Sequence, residues 1–168
     1  MTILVTGSTG AIGSQVVAHL AAKGADVHAL VRTPEKAQFP NGVIPVKGDL
    51  MDVDAMRAAL AQASTLFLLN AVTPDEVTQA LITLNVAREA GIERIVYFSV
   101  MHSDKFTDVP HFTGKYTAER MIEQFDLPAT ILRPAYFMQN DASLKDTILG
   151  IGVYPMPIRC GPFDGGYA

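Results

Sequence analysis

Three glycines spaced by three, Gly7, Gly10 and Gly13, stand between a short apolar run and a helical pattern, and they restrict the folding of this chain more than any other feature. Ile3 to Thr6 reads as a buried strand, and Ile12, Val16, Val17 and Leu20 fall on one helical face, with Gly24 as the stop. A strand that turns directly into a helix needs a tight turn at the first glycine. The second lets backbone approach a ligand, and the third lets the helix pack closely on the sheet. A pyrophosphate would then sit at the positive end of the helix. The bland alternative is a tight strand-to-helix connection with no ligand.

The rest of the chain repeats this unit. The pattern predicts strands at 26–31, 43–47, 65–69, 94–100 and 129–132. Helices are predicted over about 52–62 and 114–125, with another begun by a capping box, Thr73-Pro74-Asp75-Glu76, and ended by Gly91. Such alternation means right-handed βαβ units, hence a doubly wound parallel Rossmann-like α/β sheet with helices on both faces. After Gly150 the periodicity ends, although Leu144, Ile148 and Leu149 allow a short helix.

At 168 residues, 49% apolar and 18% charged, the chain has enough material for one core and is not of disordered composition. Its net charge is −4, with no basic run, which argues against direct nucleic-acid binding. No apolar stretch approaches the length of a membrane-spanning helix. The lone Cys160 has no internal disulfide partner, no basic leader precedes the first strand, and a cytoplasmic location is expected. The four histidines and Cys160 show no metal-ligand spacing, so no metal site is inferred; His19 and His28 read as structural.

Arg32 stands at the end of the second strand, where a protein binding NAD usually carries an acid for the ribose 2′-hydroxyl. An arginine there can pair with the 2′-phosphate of NADP or be a solvated surface group, and with the acid missing it favours NADP over NAD. Asp49, after the third strand, could accept from an adenine amino group or stabilise the following helix N-terminus.

The segments Thr6 to Gly13, Leu30-Val31-Arg32, Gly48-Asp49-Leu50, Asn85 to Gly91 running into Arg94 to Ser99, and Thr130 to Pro134 with Phe137, Met138 and Asn140 resemble the NmrA-like branch of the atypical short-chain dehydrogenase/reductase superfamily. The resemblance implies an NAD(P)-binding Rossmann domain over 1–140 and an irregular tail over 141–168, the start of an incomplete substrate lobe. By resemblance, the cofactor is held by Gly7, Ser8, Thr9, Gly10, Ala11, Ile12, Gly13, Arg32, Asp49, Leu50, Asn70, Ala71, Lys115 and Pro134, while Tyr136, Phe137 and Met138 face the nicotinamide end. Hydride-transferring members of the superfamily use Ser, Tyr and Lys, with Tyr four residues before Lys. Here Ser99 and Lys115 stand in the expected places and His111 replaces the tyrosine. Tyr116 points about 100° away from the lysine and is no simple substitute. His111 is then a proton donor or substrate ligand, or simply a polar residue at a loop-to-helix junction. Ser99 polarises a carbonyl or caps a strand end. Lys115, placed near a helix start against the dipole, is expected to hold the nicotinamide ribose. The resemblance implies an NADP(H)-dependent oxidoreductase for a small, readily reduced acceptor such as a quinone. The alternative is a non-catalytic NADP(H) sensor that controls a protein partner; a homo-oligomer is also open.

Overall fold

In the computed structural model, which describes residues 1–155, the expected alternation is present with small shifts of boundary. The elements run β1 (Thr2–Val5), α1 (Ala11–Ala22), β2 (Asp26–Val31), β3 (Ile44–Lys47), α2 (Val53–Leu60), β4 (Thr65–Leu68), α3 (Glu76–Glu89), β5 (Arg94–Phe98), α4 (Pro110–Gln124), β6 (Ala129–Leu132) and α5 (Lys145–Ile151). The six strands form one parallel sheet in the order β3-β2-β1-β4-β5-β6. This is the doubly wound Rossmann-like arrangement. Its direction of winding reverses between β1 and β4, and ligands of such sheets gather at that crevice, off the carboxyl ends of the strands.

Side-chain alternation along β1 divides the core in two. Leu4 faces one side, with Leu66, Leu68, Ile95 and Tyr97, and packs under α2, α3 and α4. Ile3 and Val5 face the other side, where Val27, Ala29 and Val17 of α1 join them. The connection from β2 to β3 holds only a 3-10 turn, Pro34–Lys36, so α1 is the α-helix of its face in the Met1–Pro134 unit.

Two helix starts differ from the sequence reading. α4 begins at Pro110, four residues earlier than the pattern suggests, because proline suits a first helical turn and Val109 supplies the extended entry. The Thr73–Glu76 capping box does not form: Asp75 is the residue before α3 and gives no side-chain cap, and the Glu76 side chain turns inward. α2 is capped as its sequence allows, by Asp52, whose carboxylate accepts from the backbone of Asp54 and Ala55.

The chain divides into two compact units, Met1–Pro134 and the segment from Ala135. In the second, a 3-10 stretch, Met138–Leu144, leads into α5, and Asp141 accepts from the hydroxyls of Tyr136 and Tyr154. Cys160 and the end of the tail, with Pro157, Pro162 and Gly165-Gly166, lie outside the described residues. Among the described residues no helix is long and apolar enough to cross a membrane, and no group of three or more His, Cys, Asp or Glu could hold a metal ion.

Candidate functional site

The glycine turn closes the end of β1 onto α1. Gly7 adopts φ +59, which favours glycine, and its carbonyl accepts from the Gly10 amide at 3.0 Å. A Cβ on Gly13 would lie 2.0 Å from that same carbonyl oxygen, so the third glycine is needed for the turn and helix to fit together. A Cβ on Gly10 would meet only the Gly7 oxygen, at 3.3 Å, and otherwise open space. The first intrahelical bond runs from Ser14 to the Gly10 carbonyl, no side chain caps the helix, and no acid stands in its first turn. The amides of Ala11, Ile12 and Gly13 therefore remain for an anion, and the cradle above Gly10 is free of side chains.

Around the turn, polar groups of two kinds can be separated. Some are committed to the fold. Ser8 is buried and its hydroxyl donates to the Leu30 carbonyl at 2.8 Å, so only its backbone is left for a ligand. Thr6 ties the ends of β1 and β4 together, accepting from the Leu69 amide at 2.8 Å and donating to the Leu69 carbonyl at 2.9 Å. The Asp49 carboxylate accepts from the Met51 amide at 2.9 Å, which braces the turn after β3, while Asp52 caps the helix. Others are available. Arg32, exposed at the end of β2, has no hydrogen bond or ion pair with any described residue. Asn70, buried just past β4, donates weakly to Gln79 at 3.4 Å, and its carbonyl oxygen has no partner. Leu50 is half-buried, and Thr9 and Ala71 are exposed at the same strand ends. Pro134 accepts from the Met101 amide at 2.9 Å after β6.

At β5 and α4 the proposed catalytic residues separate into two buried clusters. In the first, Lys115 is 3% exposed. Its Nζ donates to the Phe98 carbonyl at 3.0 Å and lies 5.3 Å from the centre of the Tyr97 ring. It also sits 2.9 Å from Oε1 of Glu76, as an ion contact without the alignment of a hydrogen bond. Oε2 of Glu76 is 2.7 Å from Nδ1 of His111. His111 is thus in the first turn of α4, and Lys115 is one turn further in, with its charge balanced by Glu76 rather than set against the start of the helix. Burial, with the Glu76 and Glu119 carboxylates nearby, pushes the Tyr97 hydroxyl well above its usual range, so Tyr97 stays neutral.

The second cluster surrounds Glu119. Arg133 grips its carboxylate in a bidentate pair, with Nη2 to Oε2 at 2.7 Å and Nε to Oε1 at 3.1 Å. Ser99 and Ser103 also donate to Oε1. Burial opposes the charge on Glu119, but the hydrogen bonds from Arg133 and Ser99 outweigh it and hold the carboxyl below its usual value. Ser99, 3% exposed, thus has its hydroxyl engaged by a carboxylate in this structure. It is part of this brace between β5, α4 and the end of β6.

Sequence reasoning missed Glu76, Glu119 and the pairing of Arg133. A signal was present. Glu76 leads the buried stripe Ala80, Thr83, Leu84 and Ala87 of α3, and Lys115 and Glu119 lie in the stripe of Ala118 and Ile122 on α4. Charges at core positions on two adjacent helices predict one another.

Comparison with known proteins matches the NmrA-like family over residues 1–155. An NAD(P)H azoreductase from Xenophilus azovorans is 31% identical over 163 residues, 95% of this chain and 56% of that protein. A photosystem II assembly factor from Synechocystis sp. is 31% identical over 168 residues, 94% of this chain and 49% of that protein. An NADPH-dependent quinone oxidoreductase from Escherichia coli, solved with NADPH, superimposes with a TM-score of 0.82 at 27% identity, covering 90% of this chain and 55% of that one. The chain spans about half the length of the relatives it matches. With the sheet order, the glycine turn and the family match in agreement, the chain belongs to the NmrA-like family.

Proposed function

We propose that this chain binds NADP(H) across the carboxyl edge of its sheet and belongs to an oxidoreductase for a small, readily reduced acceptor such as a quinone or an azo compound. The observation that carries this reading is the Lys115–Glu76–His111 cluster at the sheet edge that also bears the open glycine cradle and Arg32, which has no partner among the described residues. The pyrophosphate would lie on the amides of Ala11 to Gly13, and the 2′-phosphate against Arg32. The Lys115 ammonium, which donates to Phe98 and is paired in charge with Glu76, would turn another hydrogen to the nicotinamide ribose. The dihydronicotinamide supplies a hydride when bound. His111, whose side chain is 27% exposed, supplies the proton. The segment from Ala135 would open a substrate lobe, with Tyr136, Phe137 and Met138 near its mouth.

Support comes from the likeness to the azoreductase and to the quinone oxidoreductase. A panel of quinones, azo dyes and simple ketones, with NADPH oxidation followed at steady state, tests it. Turnover is expected with quinones or azo dyes and not with ketones. A second reading is favoured by the engagement of Ser99 with Glu119 and by the equal likeness to the photosystem II assembly factor: a cofactor-binding protein that acts on a protein partner without turnover. Tight NADPH binding with no turnover on any acceptor would select it.

A further inference from the structure

We propose that Glu76 is a positioning residue that fixes the neutral His111 ring in one tautomer, with Nδ1 protonated and held by the carboxylate and Nε2 left free to take up and give up a second proton. The use of that proton rests on the reductase reading above, but the tautomer itself is a property of the resting chain. An ionised carboxylate only accepts hydrogen bonds, so the 2.7 Å contact between Oε2 and Nδ1 requires the hydrogen on Nδ1. Lys115 holds the carboxylate in place, because its ammonium sits 2.9 Å from Oε1 in a site where Lys115 and Glu76 are both almost wholly buried. The ring is steadied from the side by Phe112, edge-on with centroids 5.7 Å apart. Glu76 is 6% exposed at its side chain and His111 27%, so Nδ1 meets a buried carboxylate while part of the ring remains open to solvent.

The ionisable groups facing His111 are Glu76 from α3 and Lys115 from α4, with Tyr97 of β5 beneath Lys115. No other carboxylate among the described residues pairs with it. When an acceptor takes a hydride from the cofactor, the Nε2–H bond of the imidazolium breaks and an O–H or N–H bond forms on the acceptor. The electron pair returns to the ring, Nδ1–H stays on Glu76, and solvent restores the proton. A glutamine at 76 reverses this geometry. Lys115 has no acceptor, so the amide oxygen must face it, and the amide nitrogen must then donate to Nδ1. His111 becomes the Nε2–H tautomer.

Nitrogen NMR of the intact protein, labelled at histidine, reads this directly, with His111→Gln assigning the signal. The neutral wild-type ring is expected as Nδ1–H. Glu76→Gln is expected to show Nε2–H instead. A wild-type Nε2–H tautomer overturns the proposal even if Glu76→Gln does not fold, and so does a folded Glu76→Gln with the tautomer unchanged. The expected tautomers with no turnover on any acceptor would uphold the positioning role and remove the reductase reading alone.

Discussion

Gly10 and Gly13 stand in one turn, but the space around them differs. At Gly13 the protein's own backbone lies 2.0 Å from where a Cβ would stand. Gly13→Ala should therefore destabilise the fold, by about 1–3 kcal/mol in chemical denaturation, as overpacking does. At Gly10 only the Gly7 oxygen is near, and the remaining space is open. Gly10→Val should leave the denaturation midpoint close to wild type and weaken NADPH binding severely. The role proposed for Arg32 lies at the other end of the ligand. With no partner among the described residues to lose, Arg32→Ala should leave stability unchanged and weaken NADP by a charge-assisted hydrogen bond, about 1.5–3 kcal/mol, or roughly 10- to 100-fold. Its effect on NAD should be small. Paired titrations with the two dinucleotides check this, and equal losses would remove Arg32 from the 2′-phosphate.

Between α3, α4 and β6 the fold is held by charges where apolar side chains would ordinarily suffice. Glu119 is 2% exposed at its side chain, and Arg133 is nearly half exposed. Arg133→Met should leave the carboxylate without its bidentate partner and cost about 1–3 kcal/mol, less than a fully buried pair because solvent already screens the arginine. The pH dependence has a definite sign. The carboxyl of Glu119 lies lower in the folded chain than in the unfolded one, so its contribution is complete above the ordinary glutamate range and is lost as pH falls through the folded value. Thermal unfolding between pH 7 and pH 3 should show wild type losing stability on the acid side, with Glu119→Gln less stable at pH 7 and flatter below it. Two parallel curves would contradict this. The strands and helices were legible because apolar periodicity and glycine stops act locally, as at Gly24 and Gly91. The clusters were less so. Thr73 to Glu76 has the spacing of a helix cap, and only the positions of Lys115 and His111 on a neighbouring helix draw Glu76 inward. Ser99 follows directly on β5 rather than ending it, and its partner is twenty residues away on α4.

At the level of the whole chain, every residue assigned to the dinucleotide lies in the Met1–Pro134 unit: the turn after β1, Arg32 after β2, Asp49 after β3, Asn70 after β4, and Lys115 in α4. The reversal of winding between β1 and β4 brings the turn and Asn70 side by side, and the parallel register aims all these strand ends at one edge. Cofactor binding should therefore be a property of this chain even though it spans about half the length of its relatives. A ligand that binds only the folded state stabilises it by about 2.7 kcal/mol at a hundred times its dissociation constant. For a chain of this size each kcal/mol raises the unfolding midpoint by roughly 2–4 °C, so saturating NADPH should raise it by roughly 5–11 °C. NADH at the same concentration, bound 10- to 100-fold more weakly without the 2′-phosphate, should give only about 0.4–1.4 kcal/mol by the same relation. Arg32→Ala should bring the two shifts together by lowering the NADPH one. Equal shifts in the wild type would show that the carboxyl end of β2 does not read the phosphate. No shift with either dinucleotide would show that the cradle over Gly10 needs polypeptide beyond these residues to close it.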